Sequence, residues 1–437
     1  MSYVDIQNRL LEGSIIERLD LESVTPVRIG GYNAQPYSSK LDLLESIRAQ
    51  SIKGVWRWWA RALISGALIG LGKSPPDGIS ELSRLFLDPL LGSTKSASKI
   101  TILLNLQDDS VSQQLGFRDL TFIPRIRLIG IGKREEENKN EVYPSSLKFS
   151  IELIKRCEIS HAEEKFAYSS LVLAFLLGGL GSIVNRGFGR FKVSISKHQE
   201  DQRDLDRLYS SKNQNEVTER LRSIIEKFAG YAREYLEGEC SQELNKLKPW
   251  IKEALPPYPS IVTWGPAQSS FRCEAVLITD NWRNALQCIG DATLKAKWKA
   301  NYRESGMSYH TWILGLPRLQ ARTQKGYKFE YNKAVRRQSA IGFSVLKLTG
   351  SGYHKGSYSI VMYGFLTNDW VKVAKSLHHV GISQKRIIEL PIRFPEAEKR
   401  ASSPDEHVKL VFEAAWEHAR IVILKKSVCR GSGTRVS

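Results

Sequence analysis

Gly178-Gly-Leu-Gly-Ser-Ile-Val-Asn-Arg-Gly-Phe-Gly-Arg190 joins an apolar run of helical spacing, His161–Gly178, to an alternating run, Phe188–Ser196. Glycine lets a backbone approach a ligand closely and turn with positive φ, and successive free N–H groups in such turns make concavities for anions. Gly178, Gly179, Gly181, Gly187 and Gly189 supply that freedom, Arg186 and Arg190 add charge with bidentate geometry, and Phe188 stands among them. The stretch therefore reads as a loop that touches phosphate. The competing reading is a tight helix-to-strand connection whose glycines serve packing.

Outward from this loop, Ser145–Lys155 and Lys99–Leu106 alternate as strands. Leu19–Ile29, ending at Gly30-Gly31, reads as a third. Ser51 is placed as the N-cap of a helix running to about Gly70. With the apolar segment Phe117–Ile131 and the charged tip Lys133–Glu141 set aside, the order is β-α-β-β-α-β, that of a ferredoxin-like domain. Gln199 to about Pro257 turns charged and helical. Val217, Leu221, Ile224, Phe228, Ala232 and Tyr235 make one amphipathic face there, and Pro256-Pro-Tyr-Pro259 follows as a hinge.

The second half repeats the order more loosely. Phe271–Ile278 reads as a strand, Asn281–Tyr302 as a helix, and Ile341–Leu348 with Ser357–Leu366 as a strand pair. A helix opens at Ser403-Pro404 with Glu406 completing a capping box, and Arg420–Lys425 reads as the last strand before a basic tail. The expected fold is α+β: two tandem ferredoxin-like domains, 1–198 and 259–437, with a helical insertion at 199–258.

At 437 residues the chain exceeds one ordinary core, and 64 Lys+Arg against 46 Asp+Glu leave a net charge of +18. Such an excess favours a polyanionic partner, nucleic acid first. The longest apolar run, Leu171–Val184, is too short and too Gly-rich to span a bilayer, and Met1–Asn8 lacks an apolar core, so no membrane role and a cytoplasmic location are expected. Cys157, Cys240, Cys273, Cys288 and Cys429 are scattered without a C-x-x-C or a Cys/His cluster, which predicts neither a metal site nor a disulfide framework. Gly72-Lys73-Ser74 resembles the end of a P-loop, but Ala67 stands where the first glycine is required. No cofactor is assigned.

Two basic features suit RNA. On the helix after Ser51, Lys53, Arg57 and Arg61 form one stripe at i, i+4 and i+8, which repel one another unless an anion or acid joins them. Trp56 borders the stripe, either as a face for a base or as an edge of the core. In Pro317–Lys347, eight basic residues, among them Arg318, Arg336 and Arg337, face the single acid Glu330, with Tyr327, Phe329 and Tyr331 interleaved.

Taken together, the Ile52-Lys-Gly-Val-Trp-Arg-Trp-Trp-Ala-Arg61 helix, the Leu91-Gly-Ser-Thr-Lys-Ser-Ala-Ser-Lys99 turn, the glycine loop, Leu314-Gly-Leu-Pro-Arg318 and Arg336-Arg-Gln-Ser339 resemble the RAMP proteins of CRISPR–Cas systems. More narrowly, the chain resembles the first-numbered subunit of the type III-B Cmr effector complex. The resemblance implies two ferredoxin-like domains and a place near the 3′ end of the guide RNA. Guide (crRNA) or target single-stranded RNA and other RAMP subunits would be the partners, and target cleavage would belong to another subunit.

Three functions follow as expectations. The first is a non-catalytic RNA-binding subunit that holds phosphates through the basic stripe and the glycine loop. The second is a RAMP endonuclease acting on CRISPR precursor RNA, for which His161 or His198 would be the base. The third is a scaffold whose basic surface meets an acidic neighbouring subunit.

Overall fold

The computed structural model describes residues 14–28, 47–106, 114–124, 126, 142–251, 255–265, 267–294, 310–315, 318–319, 326–328, 338–349, 356–380, 391–394 and 397–431. The chain is α+β. Its first sheet holds β1 (Ile15–Ser23), β2 (Ile100–Leu106), β3 (Lys148–Lys155) and β4 (Phe191–Ile195) in the order β2-β3-β1-β4, every pair antiparallel. Alternation sets the faces: Leu19 and Leu21 are buried, while Arg18 and Asp20 point to solvent.

Helix α1 (Ala49–Gly70) and helix α2 (His161–Leu173) pack on the inner face, backed by α3 (Gln199–Tyr209) and α4 (Gln214–Glu239). The amphipathic face read in α4 is buried along its length. Two boundaries move. Helix α1 begins two residues before Ser51, with Arg48 at the N-cap and no side-chain cap. The chain leaves β1 at Val24, because Pro26 cannot continue a central strand; Val24 N–H instead donates to Arg190 O at 2.7 Å.

The second half forms a sheet of β5 (Phe271–Thr279), β6 (Ile341–Leu348) and β7 (Ser357–Phe365) in the order β6-β7-β5, again antiparallel. Its helices include α5 (Trp282–Ala292) and α6 (Pro404–Gly431). The expected strand Arg420–Lys425 is instead part of α6. Val408, Val411, Phe412, Ala415, Ala419, Val422 and Ile423 are buried at helical spacing with no proline after the first turn, so the β-branched run Ile421-Val-Ile423 is overruled by packing. Helix α4 covers the edge where a fourth strand would add. Thr218 Oγ1 accepts from Ala275 N–H at 2.9 Å, and Arg222 Nε donates to Cys273 O at 3.3 Å. Similarly, α3 caps β4: Tyr209 Oη accepts from Val193 N–H at 3.0 Å and Gln202 Oε1 from Ile195 N–H at 2.6 Å.

The halves share one broad joint. Trp58 meets Phe365 and Trp59 meets Tyr363 edge to face, each pair with ring centroids 5.6 Å apart. Lys347 Nζ lies 2.8 Å from Glu22 Oε1 across the joint. The returning chain lies against α1 so closely that a Cβ on Gly66 would sit 1.8 Å from Ile261 O.

Candidate nucleic-acid interface

The stripe on α1 survives as a surface feature, and its three cations divide into two kinds. Arg57 turns inward, its Nη2 2.5 Å from Asp88 Oδ1 and its Nη1 donating to Gly92 O. This joins the helix to the Gly92–Ser98 turn, so the two motifs, 35 residues apart at Arg57 and Gly92, meet in space. Gly92 sits at φ +69°, and a Cβ there would lie 2.6 Å from Ser98 N. Ser93, Thr94, Lys95 and Ser96 are exposed at the tip of that turn.

Lys53 and Arg61 have no carboxylate partner among the described residues. Burial, and then Arg57 and Arg156, hold the Lys53 ammonium below the usual lysine range. Burial and Arg57 do the same for Arg61, against a smaller opposing pull from Asp88. Half-covered cations beside other cations are a costly arrangement that a bound polyanion relieves. Arg156, which the sequence did not single out, joins this surface from the end of β3, where its N–H donates to Lys99 O at 2.8 Å. Gly54, exposed beside the stripe with nothing within 4 Å of where its Cβ would be, leaves the helix surface bare there.

The remaining site residues go elsewhere. Trp56 is fully buried and donates to Ser170 Oγ at 2.8 Å, so it offers no face for a base. Arg190 has no exposed surface; its guanidinium donates to Leu177 O, Val184 O and, at 2.5 Å, Phe343 O. Arg186 is 5 % exposed and donates to Leu314 O. Both arginines fasten the glycine loop to the second half instead of facing solvent.

The glycines serve that fastening. Helix α2 ends in a π-helical turn closed by Gly179 N–H to Ala174 O at 2.7 Å. The loop N–H groups that an anion would need are spent internally: Leu180 on Gly189 O, Ser182 on Arg28 O, Gly187 on Val184 O, and Gly189 on Pro26 O. Positive φ occurs at Gly179, Gly181, Gly187 and Gly189, and a Cβ on Gly178 would meet Trp59 Nε1 at 2.3 Å. Phe188 is buried in the second half's core. Packing, the competing reading of this loop, accounts for all five glycines.

Arg336 and Arg337 lie outside the described residues, and of Arg318 only the backbone is described, in a short pairing with Tyr327. The two histidines considered as bases are far apart in role. His198 Nδ1 is 2.8 Å from Glu17 Oε2 and its ring stacks on Tyr168, whereas His161 is exposed at the start of α2. No group of three or more His, Cys, Asp or Glu that could hold a metal occurs among the described residues. Among them, too, no helix is long and apolar enough to cross a membrane.

Residues 20–192 match the family model described as the RAMP superfamily. The CRISPR system Cmr subunit Cmr1-1 of Pyrococcus furiosus is 24 % identical over 346 residues, covering 77 % of this chain and 85 % of the relative. Subunit Cmr1-2 of the same organism is 26 % identical over 197 residues, covering 40 % of this chain and 94 % of the relative. In fold, the chain resembles one in a cryo-EM structure of the Type III-B Cmr-beta bound to cognate target RNA and AMPPnP, with a TM-score of 0.53 and 15 % identity over 93 % of this chain and 100 % of that one. The segment that carries the basic helix, the Gly92 turn and the glycine loop is thus the part of the chain that matches the RAMP superfamily, and the chain is similar to the Cmr1 subunits of CRISPR systems.

Proposed function

We propose that the chain is a non-catalytic subunit of a type III-B CRISPR effector complex, positioning guide or target RNA near the 3′ end of the guide. Lys53, Arg61 and Arg156 hold backbone phosphates, while Arg57 fixes the Gly92 turn beside them. The observation that carries this reading is the pair Lys53 and Arg61, half-buried cations on one helix face without a carboxylate partner among the described residues. Contacts of this kind position a strand without reading its sequence, which suits a complex whose specificity comes from base pairing.

The same reading takes 1–198 and 259–437 as two ferredoxin-like domains with 199–258 inserted. The β2-β3-β1 order of the first sheet recurs as β6-β7-β5 in the second, which supports it. The test is binding of the purified chain to labelled single-stranded RNA across a salt series, with products resolved in the same samples. Binding that weakens with salt and leaves the RNA intact is expected; metal-independent cleavage lost in His161→Ala or His198→Ala would replace this reading with the endonuclease.

A further inference from the structure

The serines that open β2 and β6 do the same thing. Ser98 Oγ accepts from Ile100 N–H at 3.3 Å and donates to Ile100 O at 2.6 Å; Ser339 Oγ accepts from Ile341 N–H at 3.2 Å and donates to Ile341 O at 2.5 Å. Each turns back on the backbone two residues ahead, which sets Ile100 against Ile341, Ile102 against Phe343, and Leu103 against Ser344.

The two edges then fare differently. On β6 the first half's glycine loop fills the edge: Arg190 donates to Phe343 O at 2.5 Å, Ser344 Oγ donates to Leu176 O at 2.6 Å, and Gly187 is packed against Val345. On β2 the backbone of Lys99 faces β3, since its oxygen accepts from Arg156 N–H. Strand alternation therefore turns the N–H and C=O groups of Ile102, Leu104 and Leu106 outward, where none has a partner among the described residues. The other three edges of the two main sheets are capped by side chains from neighbouring elements. Of the four edges of the two main sheets, β2 alone has no such cap among the described residues, and its sequence Ile-Thr-Ile-Leu-Leu-Asn-Leu carries none of the charges or prolines that blunt exposed edges. Leu103 is 43 % exposed where its counterpart Ser344 is fully buried.

We propose that the β2 edge seats the glycine loop of another RAMP-fold subunit, whose loop arginine donates to Ile102 O as Arg190 donates to Phe343 O within this chain. The proposal rests on the tandem, multi-subunit reading above. A second copy of this chain is not the occupant, because its Arg190 is already consumed by its own β6. The partner is a chain with one copy of the fold, its glycine loop free. The contact is confined to the edge, because inward of Leu103 the sheet face is polar, with Arg18 paired to Glu152 and Asp20 exposed.

Amide hydrogen exchange of the full chain, alone at two concentrations and in its purified effector assembly, tests this. In the free chain the amides of Ile102, Leu104 and Leu106 should exchange fast and those of Thr101, Leu103 and Asn105, held by β3, slowly. In the assembly the first three should slow at least tenfold. Leu103→Lys, on an exposed position, should lower incorporation at least tenfold while RNA binding by the free chain is unchanged. Protection in the free chain independent of concentration would assign the edge to this chain's own segments. Protection that rises with concentration would assign it to a second copy, and either result overturns the proposal. So would fast exchange within an assembly that does contain the chain. A chain that enters no assembly overturns the functional reading as well, and is told apart because wild type and Leu103→Lys then fail alike.

Discussion

Arg190 carries a positive charge to a place with no exposed surface and binds three carbonyl oxygens there, from the π-helical turn, the loop tip and β6. A fixed guanidinium fork can satisfy three acceptors in different directions; an ammonium cannot reach them from one point. Arg190→Ala takes the guanidinium donor from these buried carbonyl oxygens, at about 1–3 kcal/mol for each acceptor left unsatisfied, and should cost about 3 kcal/mol, with Arg190→Lys recovering less than half. Denaturant melts of the three proteins decide this; an Arg190→Ala protein as stable as wild type would return the residue to the solvent-facing role that its sequence suggests. Glu17 is the matching anion. Burial pushes its carboxyl up, but His198 and the N–H groups of Lys197, His198 and Ser196 outweigh that and hold it below the usual carboxylate range. Its contribution is therefore complete above the unfolded value of about 4.3 and is lost as pH falls through the depressed folded value. In Glu17→Gln, melting temperature should drop at pH 7 and vary less between about pH 5 and 3 than in wild type. Identical acid profiles would remove Glu17 from this role.

Elements show how differently two glycines can be used. Gly189, at φ +63°, faces Leu180 O so closely that a Cβ would lie 1.9 Å from it, and the loop cannot shift without breaking the joint. Gly189→Ala should leave little folded protein at 37 °C. Gly54 is an exposed position on α1 with open space where its Cβ would be, so Gly54→Ala should stabilise the free chain by about 0.5–1 kcal/mol. If the bare helix surface admits a phosphate beside Lys53 and Arg61, the same change weakens RNA binding. A stabilised variant with unaltered RNA affinity would show that Gly54 has no such part.

These elements also mark what a sequence can and cannot show. Strand alternation placed β2, β3, β5, β6 and β7 within a few residues, and the α4 face was read correctly, because periodicity records which side of an element is buried. It does not record the neighbour that buries it. Arg186, Arg190 and Phe188 look like ligand-facing groups only until the second half closes over them, and Trp56 only until α2 packs on α1; both are long-range events. Asp88, which splits the stripe by claiming Arg57, lies 31 residues away with nothing local to link them.

At the scale of the whole molecule, a net charge of +18 repels itself, and the fold spends part of it on internal fastening through Arg186, Arg190 and Lys347. What α1 leaves at the surface is Lys53 and Arg61. They should contribute nothing to the stability of the free chain, since burial and their cationic neighbours disfavour their charged forms. Lys53→Ala/Arg61→Ala should then melt no lower than wild type. The decisive measurement is the salt dependence of single-stranded RNA binding by that double variant. Each lost phosphate contact flattens the slope of log K against log salt by about 0.7 for a single strand, so a reduction of about 1.4 is the result expected. An unchanged slope in a protein that melts like wild type would contradict the account and leave the phosphate contacts to another surface.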